Sequence, residues 1–313
     1  MTSAREIRLL RSFVKYLTIA VVVAVSAATL LGALAVLYPY LELINHFRLA
    51  LLAASAAAVP VAFWVGARKL RLASVCLLLV NVLFGSAPLI AQASSAAQPS
   101  LRVTTFNVWI NNPKPQEVVD YLRETDADIV VLQEVGDHLE QAIVPPLRDK
   151  YPHVVSCARR NCGLVMLSKT GWLDAGSSDR TRASPPIVWA RFAGATKPYV
   201  VTGLHLAFPF QPDMQVDHMN WLADRAQREH DTQIIVGDFN LSPFSFKLNA
   251  FAQKANLRQH ALFGASWPGN RFVPVVLIDN LLASPDVKAV KVSYGPQGYG
   301  SDHYPLTFDI ALE

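Results

Sequence analysis

The chain has 313 residues, 52% hydrophobic and 17% charged, where a soluble domain carries roughly 25% charged residues. That composition excludes a disordered or collagen-like chain, and three cysteines exclude a disulfide-dense mini-protein. The net charge of +4 divides unevenly: residues 1–97 hold 8 Lys/Arg and 2 acids, residues 98–313 hold 20 and 22, so the basic pI belongs to the first third.

Three charge-free runs open the chain: Tyr16–Leu41, Leu49–Ala67 and Leu72–Leu101, the last apolar to about Ala91. About 20 apolar residues cross a bilayer core. The runs therefore predict a membrane region over 1–92, with spans near 16–38, 49–67 and 72–91. One signal peptide followed by a buried helical hairpin is the weaker alternative, because the first run is too long for a signal core. Four Lys/Arg precede the first run, one lies in the first connection, and Arg68, Lys69 and Arg71 lie in the second. The positive-inside rule then puts the N-terminus in the cytoplasm and everything after the third span outside it. In a bacterium this is an inner-membrane protein with a periplasmic domain. Residues 93–100, small and polar, read as a flexible linker, and the stretch 91–100 also has the small residues of a signal-peptidase site.

Cys76 in the third run reads as a buried, inert thiol. Cys157 and Cys162 bracket a short polar turn, and a disulfide there suits an oxidising compartment.

Residues 101–313 read as one α/β domain. Strand patterns rich in Val and Ile occur at 101–106, 128–133, 154–157, 164–168, 187–192, 199–204, 233–236, 277–283, 287–294 and 306–310. Helical patterns occur near 116–124, 136–150, 214–230 and 245–255. Two strand-rich blocks, each with helices, predict two packed sheets flanked by helices.

Several strands run directly into short polar side chains: Asn107, Gln133-Glu134, His205, Gly237-Asp238-Phe239-Asn240, Asp279 and Ser301-Asp302-His303. One such ending is ordinary turn or cap chemistry. Together they offer oxygen ligands for a hard cation, two imidazoles and amide donors, which suits metal-assisted attack on phosphorus.

This ordered set resembles the endonuclease/exonuclease/phosphatase superfamily, and the likeness covers essentially all of 101–313. The resemblance implies a four-layered α/β sandwich with the site at one rim, and a Mg²⁺- or Mn²⁺-dependent phosphoester hydrolase. The membrane-embedded N-terminus is similar to a bacterial membrane-anchored subgroup. By resemblance Glu134 is a metal ligand, Asn107 a metal or phosphate contact, and His303 the general base. Asp302 would orient that imidazole and touch metal. Asp238 would position the nucleophile or a second metal, and Asn240 would donate to a phosphoryl oxygen. His205 would neutralise phosphate or protonate the leaving oxygen, and Asp279 matches an acid that pairs with a histidine. Trp109 stands where some abasic-site enzymes have an acid, and Asn280 where many members have His or Tyr.

The substrate expected is a phosphodiester, first a nucleic acid, with a phospholipid or sphingomyelin headgroup as the alternative. From a different class, the domain could be a catalytically idle membrane scaffold. Arg159-Arg160, Arg180 with Arg182, and Arg271 read as solvated basic residues that could meet phosphate. Phe208 and Phe210, just after His205, could stack on a base or touch lipid. No protein partner is predicted.

Overall fold

The computed structural model describes residues 4–86, 98–158, 161–261, 263–270 and 273–312. The expected linker at 93–97, the end of the third run at 87–91, and Arg159, Arg160 and Arg271 lie outside them. The chain divides into two compact units, Met1–Ile90 and Ala91–Glu313.

The first unit is helical: α1 (Ala4–Ala33), α2 (Glu42–Asn45), α3 (Arg48–Val65) and α4 (Arg68–Ser86). Glycine 66, in the left-handed conformation, ends α3. Two of the three expected spans fall on helical stretches, Arg5–Val36 and Arg48–Val65, that are long and apolar enough to cross a membrane. α4 is not among them: after Arg68, Lys69 and Arg71 its charge-free part is described only for residues 72–86, and the rest of the expected span lies outside the described residues. A buried polar knot ties α1, α3 and α4. Asn81 Nδ2 donates to Thr29 Oγ1 and Ser55 Oγ, each at 3.1 Å. Such interhelical bonds hold apolar helices in register where packing alone is indifferent. Cys76 is exposed on α4, contrary to the expected burial, because Ser74 and Leu77 take the inward positions.

The second unit runs β1 (Leu101–Asn107), α5 (Pro115–Thr125), β2 (Ile129–Gln133), α6 (Asp137–Ile143), β3 (His153–Cys157), β4 (Leu164–Ser168) and β5 (Asp174–Ser178). It continues with β6 (Ile187–Phe192), β7 (Tyr199–His205), α7 (Pro212–Arg228), β8 (Thr232–Asp238), α8 (Phe246–Lys254), β9 (Arg258–Gln259), β10 (Asp279–Ala283), β11 (Val287–Tyr294) and β12 (Leu306–Leu312). One sheet has the order β11-β12-β1-β2-β4-β3, the other β5-β6-β7-β8-β10-β9. Each contains one parallel pair, β1/β2 and β7/β8, among antiparallel neighbours. Alternate side chains serve different layers. Val131 points between the sheets with Val103, Val201 and Val236, while its neighbours Val130 and Leu132 pack against α5 and α6. Leu204, Ile235 and Leu282 cover α7 and α8 on the far side of the second sheet. Three apolar layers between four structural ones make the expected sandwich.

The helix expected over 136–150 is shorter: α6 stops at Ile143, and Pro145 and Pro146 start a separate tight turn. Cys157 and Cys162 are joined as a disulfide.

Burial, with Arg258 and Lys288 nearby, pushes the His260 imidazole down to about 4. An unfolded histidine titrates near 6.5. Between those values the unfolded chain takes a proton the folded chain refuses, so stability falls as pH drops, by at most about 1.4 kcal/mol per pH unit. His260→Gln should lose less stability than wild type between pH 7 and pH 5 in denaturant unfolding of the full chain; equal losses would contradict this burial.

Candidate active site

Strand pairing gathers the polar strand ends. β1 and β2 run parallel, setting Asn107 beside Gln133, with Glu134 following. β7 and β8 run parallel, setting His205 beside Asp238. β10 starts at the same rim, antiparallel to β8, so Asp279 also flanks Asp238. Asn107 bridges the sheets, its Nδ2 donating to Glu134 Oε1 and to Asp238 Oδ2, both at 3.0 Å. The sheets approach closely beneath it. A Cβ on Gly203 would lie 2.4 Å from Val131 Cγ1 of the other sheet.

Trp109, Glu134 and Asn240 have φ of 60°, 58° and 50°. Asparagine tolerates this left-handed region, whereas Trp and Glu rarely enter it outside constrained sites. Asn107 Oδ1 accepts from the Trp109 N–H at 3.0 Å, and Glu134 Oε2 accepts from the Ile110 N–H at 3.1 Å. The two bends thus fix the amide and the carboxylate against each other.

The His303 Nδ1 lies 2.8 Å from Asp279 Oδ2, and its Nε2 lies 3.8 Å from Asp238 Oδ2. Ser301 Oγ donates to the Asn107 carbonyl at 2.6 Å and accepts from the His303 N–H at 3.0 Å, locking that loop to the end of β1. The orienting acid is therefore Asp279. Asp302, expected to orient the imidazole, turns instead to the Trp267 indole, which donates to it at 3.2 Å. Asn240 is brought to the site but spends its Nδ2 on the Leu206 carbonyl at 3.1 Å, while its N–H donates to Asp238 Oδ1 at 2.8 Å. It braces the loop after His205 against Asp238. Asn280 hydrogen-bonds Gln259 and Ala261, away from the chemistry.

The two imidazoles are set apart electrically. For His303, burial opposes the charged ring, but Asp279 and Asp238 outweigh it and raise the ring to about 10. For His205, burial, Arg180 and His303 hold it down to about 3. His205 Nε2 lies 3.5 Å from Asp238 Oδ2, yet the ring is neutral, so the contact is not an ion pair. Burial and the charge of Asp279 raise the Asp238 carboxyl above its ordinary range.

The donor set fits a cation. Asp238 and Asp279 bring carboxylate oxygens within 4.8 Å of each other beside His303. Asp279 Oδ1 and His205 Nε2 are buried with no hydrogen-bond partner among the described residues. Glu134, held by Asn107, adds a partly open carboxylate beside them. A cluster of acids with an orphaned carboxylate oxygen is what a hard divalent ion requires.

A cleft of about 400 Å³ opens from Glu134 and His205 and is walled by Ile110, Phe208, Arg180 and the disulfide turn at Asn161–Gly163. Arg180, read from sequence as a solvated basic residue, is half-buried in this wall. Ser266, whose hydroxyl accepts from the Asp279 N–H at 3.4 Å, and Trp267 also support the site, and no spacing in the sequence marks them.

Residues 104–303 match the Endonuclease/Exonuclease/phosphatase family, and the chain belongs to it. The fold is shared with a Bacteroides thetaiotaomicron protein of that family at 17% identity and TM-score 0.57, covering 69% of this chain and 100% of that one. It is shared with a Bacteroides thetaiotaomicron mannosyl-6-phosphatase at 16% and 0.53 (68% and 100%), and with the human Nocturnin catalytic domain, solved with a sulfate anion, at 14% and 0.56 (72% and 99%). No curated protein matches the sequence. The class is that of hydrolases acting on phosphoester bonds.

Replacing Asp279 by Asn removes an anion from His303, so the ring should titrate well below the wild-type value. Histidine NMR of the full chain measures this, and an unchanged His303 titration would contradict the pairing.

Proposed function

We propose that the second unit is a divalent-metal-dependent phosphodiesterase, held outside the cytoplasm by the apolar N-terminal helices. The observation that carries this reading is the line Asp279–His303–Asp238 abutting Asn107 and Glu134 at the mouth of a cleft. A scaffold has no need of such a set. Glu134 is the most open of the acids and would hold the ion, with Asp238 and Asp279 beside it. A bound Mg²⁺ or Mn²⁺ supplies positive charge at the phosphoryl oxygens.

The chain's own groups divide the remaining work. His303 carries its proton at neutral pH, so it stabilises charge on a phosphoryl oxygen through Nε2–H. The base role implied by resemblance passes to Asp238. Asn240 and Asn107 orient this carboxylate, and its raised pKa suits it to accept a proton from the attacking water. Asp279 keeps the His303 ring in place and charged. His205, being neutral, contributes a hydrogen bond and leaves phosphate neutralisation to other groups.

Nucleic acid is the first substrate reading. Lipid headgroup hydrolysis is favoured by a separate observation. Phe208 and Phe210, 48% and 76% exposed, follow His205, and Val273 and Val275, 82% and 64% exposed, follow the Trp267 that holds Asp302. In a chain with apolar helices, such a rim suits a lipid surface.

Hydrolysis by the full chain in detergent separates these readings when single- and double-stranded DNA, RNA, phosphatidylcholine, sphingomyelin and a chromogenic phosphodiester are offered in parallel. Turnover should require a divalent ion. Glu134→Ala, Asp238→Ala and His303→Ala should each cut it by at least about 100-fold, the scale of a positioned acid–base group, while the fold persists. Near-normal rates in any two variants sink the assignment. A reporter fused after Glu313 should behave as extracytoplasmic; a cytoplasmic signal overturns the orientation.

A further inference from the structure

Among the described residues Arg180 is the cation of the cleft, and its main chain is held in place. The Arg180 N–H donates to the Asn161 carbonyl at 2.8 Å, within the turn closed by the Cys157–Cys162 disulfide. The next carbonyl, of Thr181, is 3.1 Å from His218 Nε2. The main chain is thus anchored on both sides of the guanidinium. The side chain has no carboxylate within 4.0 Å and no hydrogen bond among the described residues, and its Nε is buried without a partner. A buried guanidinium donor left unmatched by protein is costly unless an anion completes it.

Glu134 and Asp238 feel the Arg180 charge, as does His205. Arg180 lines the same cleft as Glu134 and His205. Apolar Ile110 and Phe208 line the same cleft, the latter edge-on to His205 with ring centroids 6.0 Å apart. About 400 Å³ is the size of a small-molecule site. The domain around this cleft carries 22 acids to 20 bases, a balance that gives little long-range attraction for a polynucleotide backbone.

Resting on the phosphoester-hydrolase reading, we propose that Arg180 is the substrate's phosphate receptor and that Ile110 and Phe208 seat a single compact, ring-bearing group esterified to that phosphate. The cleft then selects a small organic phosphate, or the terminal unit of a longer one, over the interior of a duplex. Guanidinium and phosphate match in planarity and charge, so the fork can hold two oxygens at once.

Calorimetric binding of inorganic phosphate and phenyl phosphate to the full chain in detergent tests this without requiring turnover. Phenyl phosphate should bind wild type more tightly than inorganic phosphate. Arg180→Ala should weaken both by at least about tenfold, the loss expected for one hydrogen bond to a charged group. Arg180→Lys should fall between. Phe208→Ala should erase the advantage of phenyl phosphate, and the exposed Arg182→Ala should match wild type. If Arg180 only balances the acids, Arg180→Ala will lower thermal stability and leave phosphate affinity unchanged, and the proposal fails. Equal losses in Arg180→Ala and Arg182→Ala, or no preference for phenyl phosphate in wild type, overturn it as well. If Arg180→Ala does not fold, Arg180→Lys decides. Wild-type chain that binds phosphate through Arg180 but hydrolyses nothing would leave this site standing and refute the enzymatic reading instead.

Discussion

Converging negative charge is the constraint on which the catalytic rim depends. Asp238 and Asp279 are buried side by side on adjacent strands, and Glu134 reaches them through Asn107. Like charges in a site screened from water repel strongly, and burial of each charged form is unfavourable. Within the protein this is relieved by the His303 imidazolium between the two aspartates, by the Asn107 amide, and at longer range by Arg180. The relief is incomplete, since one oxygen of Asp279 has no partner among the described residues. On the proposed reading a divalent cation completes that balance.

The fold makes that convergence possible. Two sheets each place a parallel pair at the centre, so four strands finish at one rim, where β10 also begins. Glycine at 203 lets the second sheet settle against Val131, bringing Asp238 within hydrogen-bond reach of an amide on the first sheet. Left-handed backbone at Trp109 and Glu134 then aims the side chains inward. Such local strain is tolerated because the apolar layers on either side hold the strands that carry it.

Much of this was legible in the sequence. Runs of Val and Ile ending in Asn, Glu, His or Asp marked β1, β2, β7 and β8 and their catalytic ends, because burial on both faces forces apolar runs in central strands. What escaped has a physical reason. β5, Asp-Ala-Gly-Ser-Ser, is an edge strand with little to bury, and β9 is two residues long. The choice between Asp279 and Asp302 depended on loop geometry that adjacency to His303 could not supply. Arg180 looked like any surface arginine, since the disulfide turn and His218 that anchor it are distant in sequence. The third apolar run is helical as far as Ser86, and the rest of its expected span lies outside the described residues.

The most direct test of the charge argument is calorimetric titration of Mg²⁺ and Mn²⁺ into the full chain in detergent, with Glu134→Ala beside it. The account predicts saturable binding by wild type, accompanied by proton release from the Asp238–His303 cluster, and binding lost or greatly weakened in the variant. No binding by a folded wild-type chain, or equal binding by both, would contradict it.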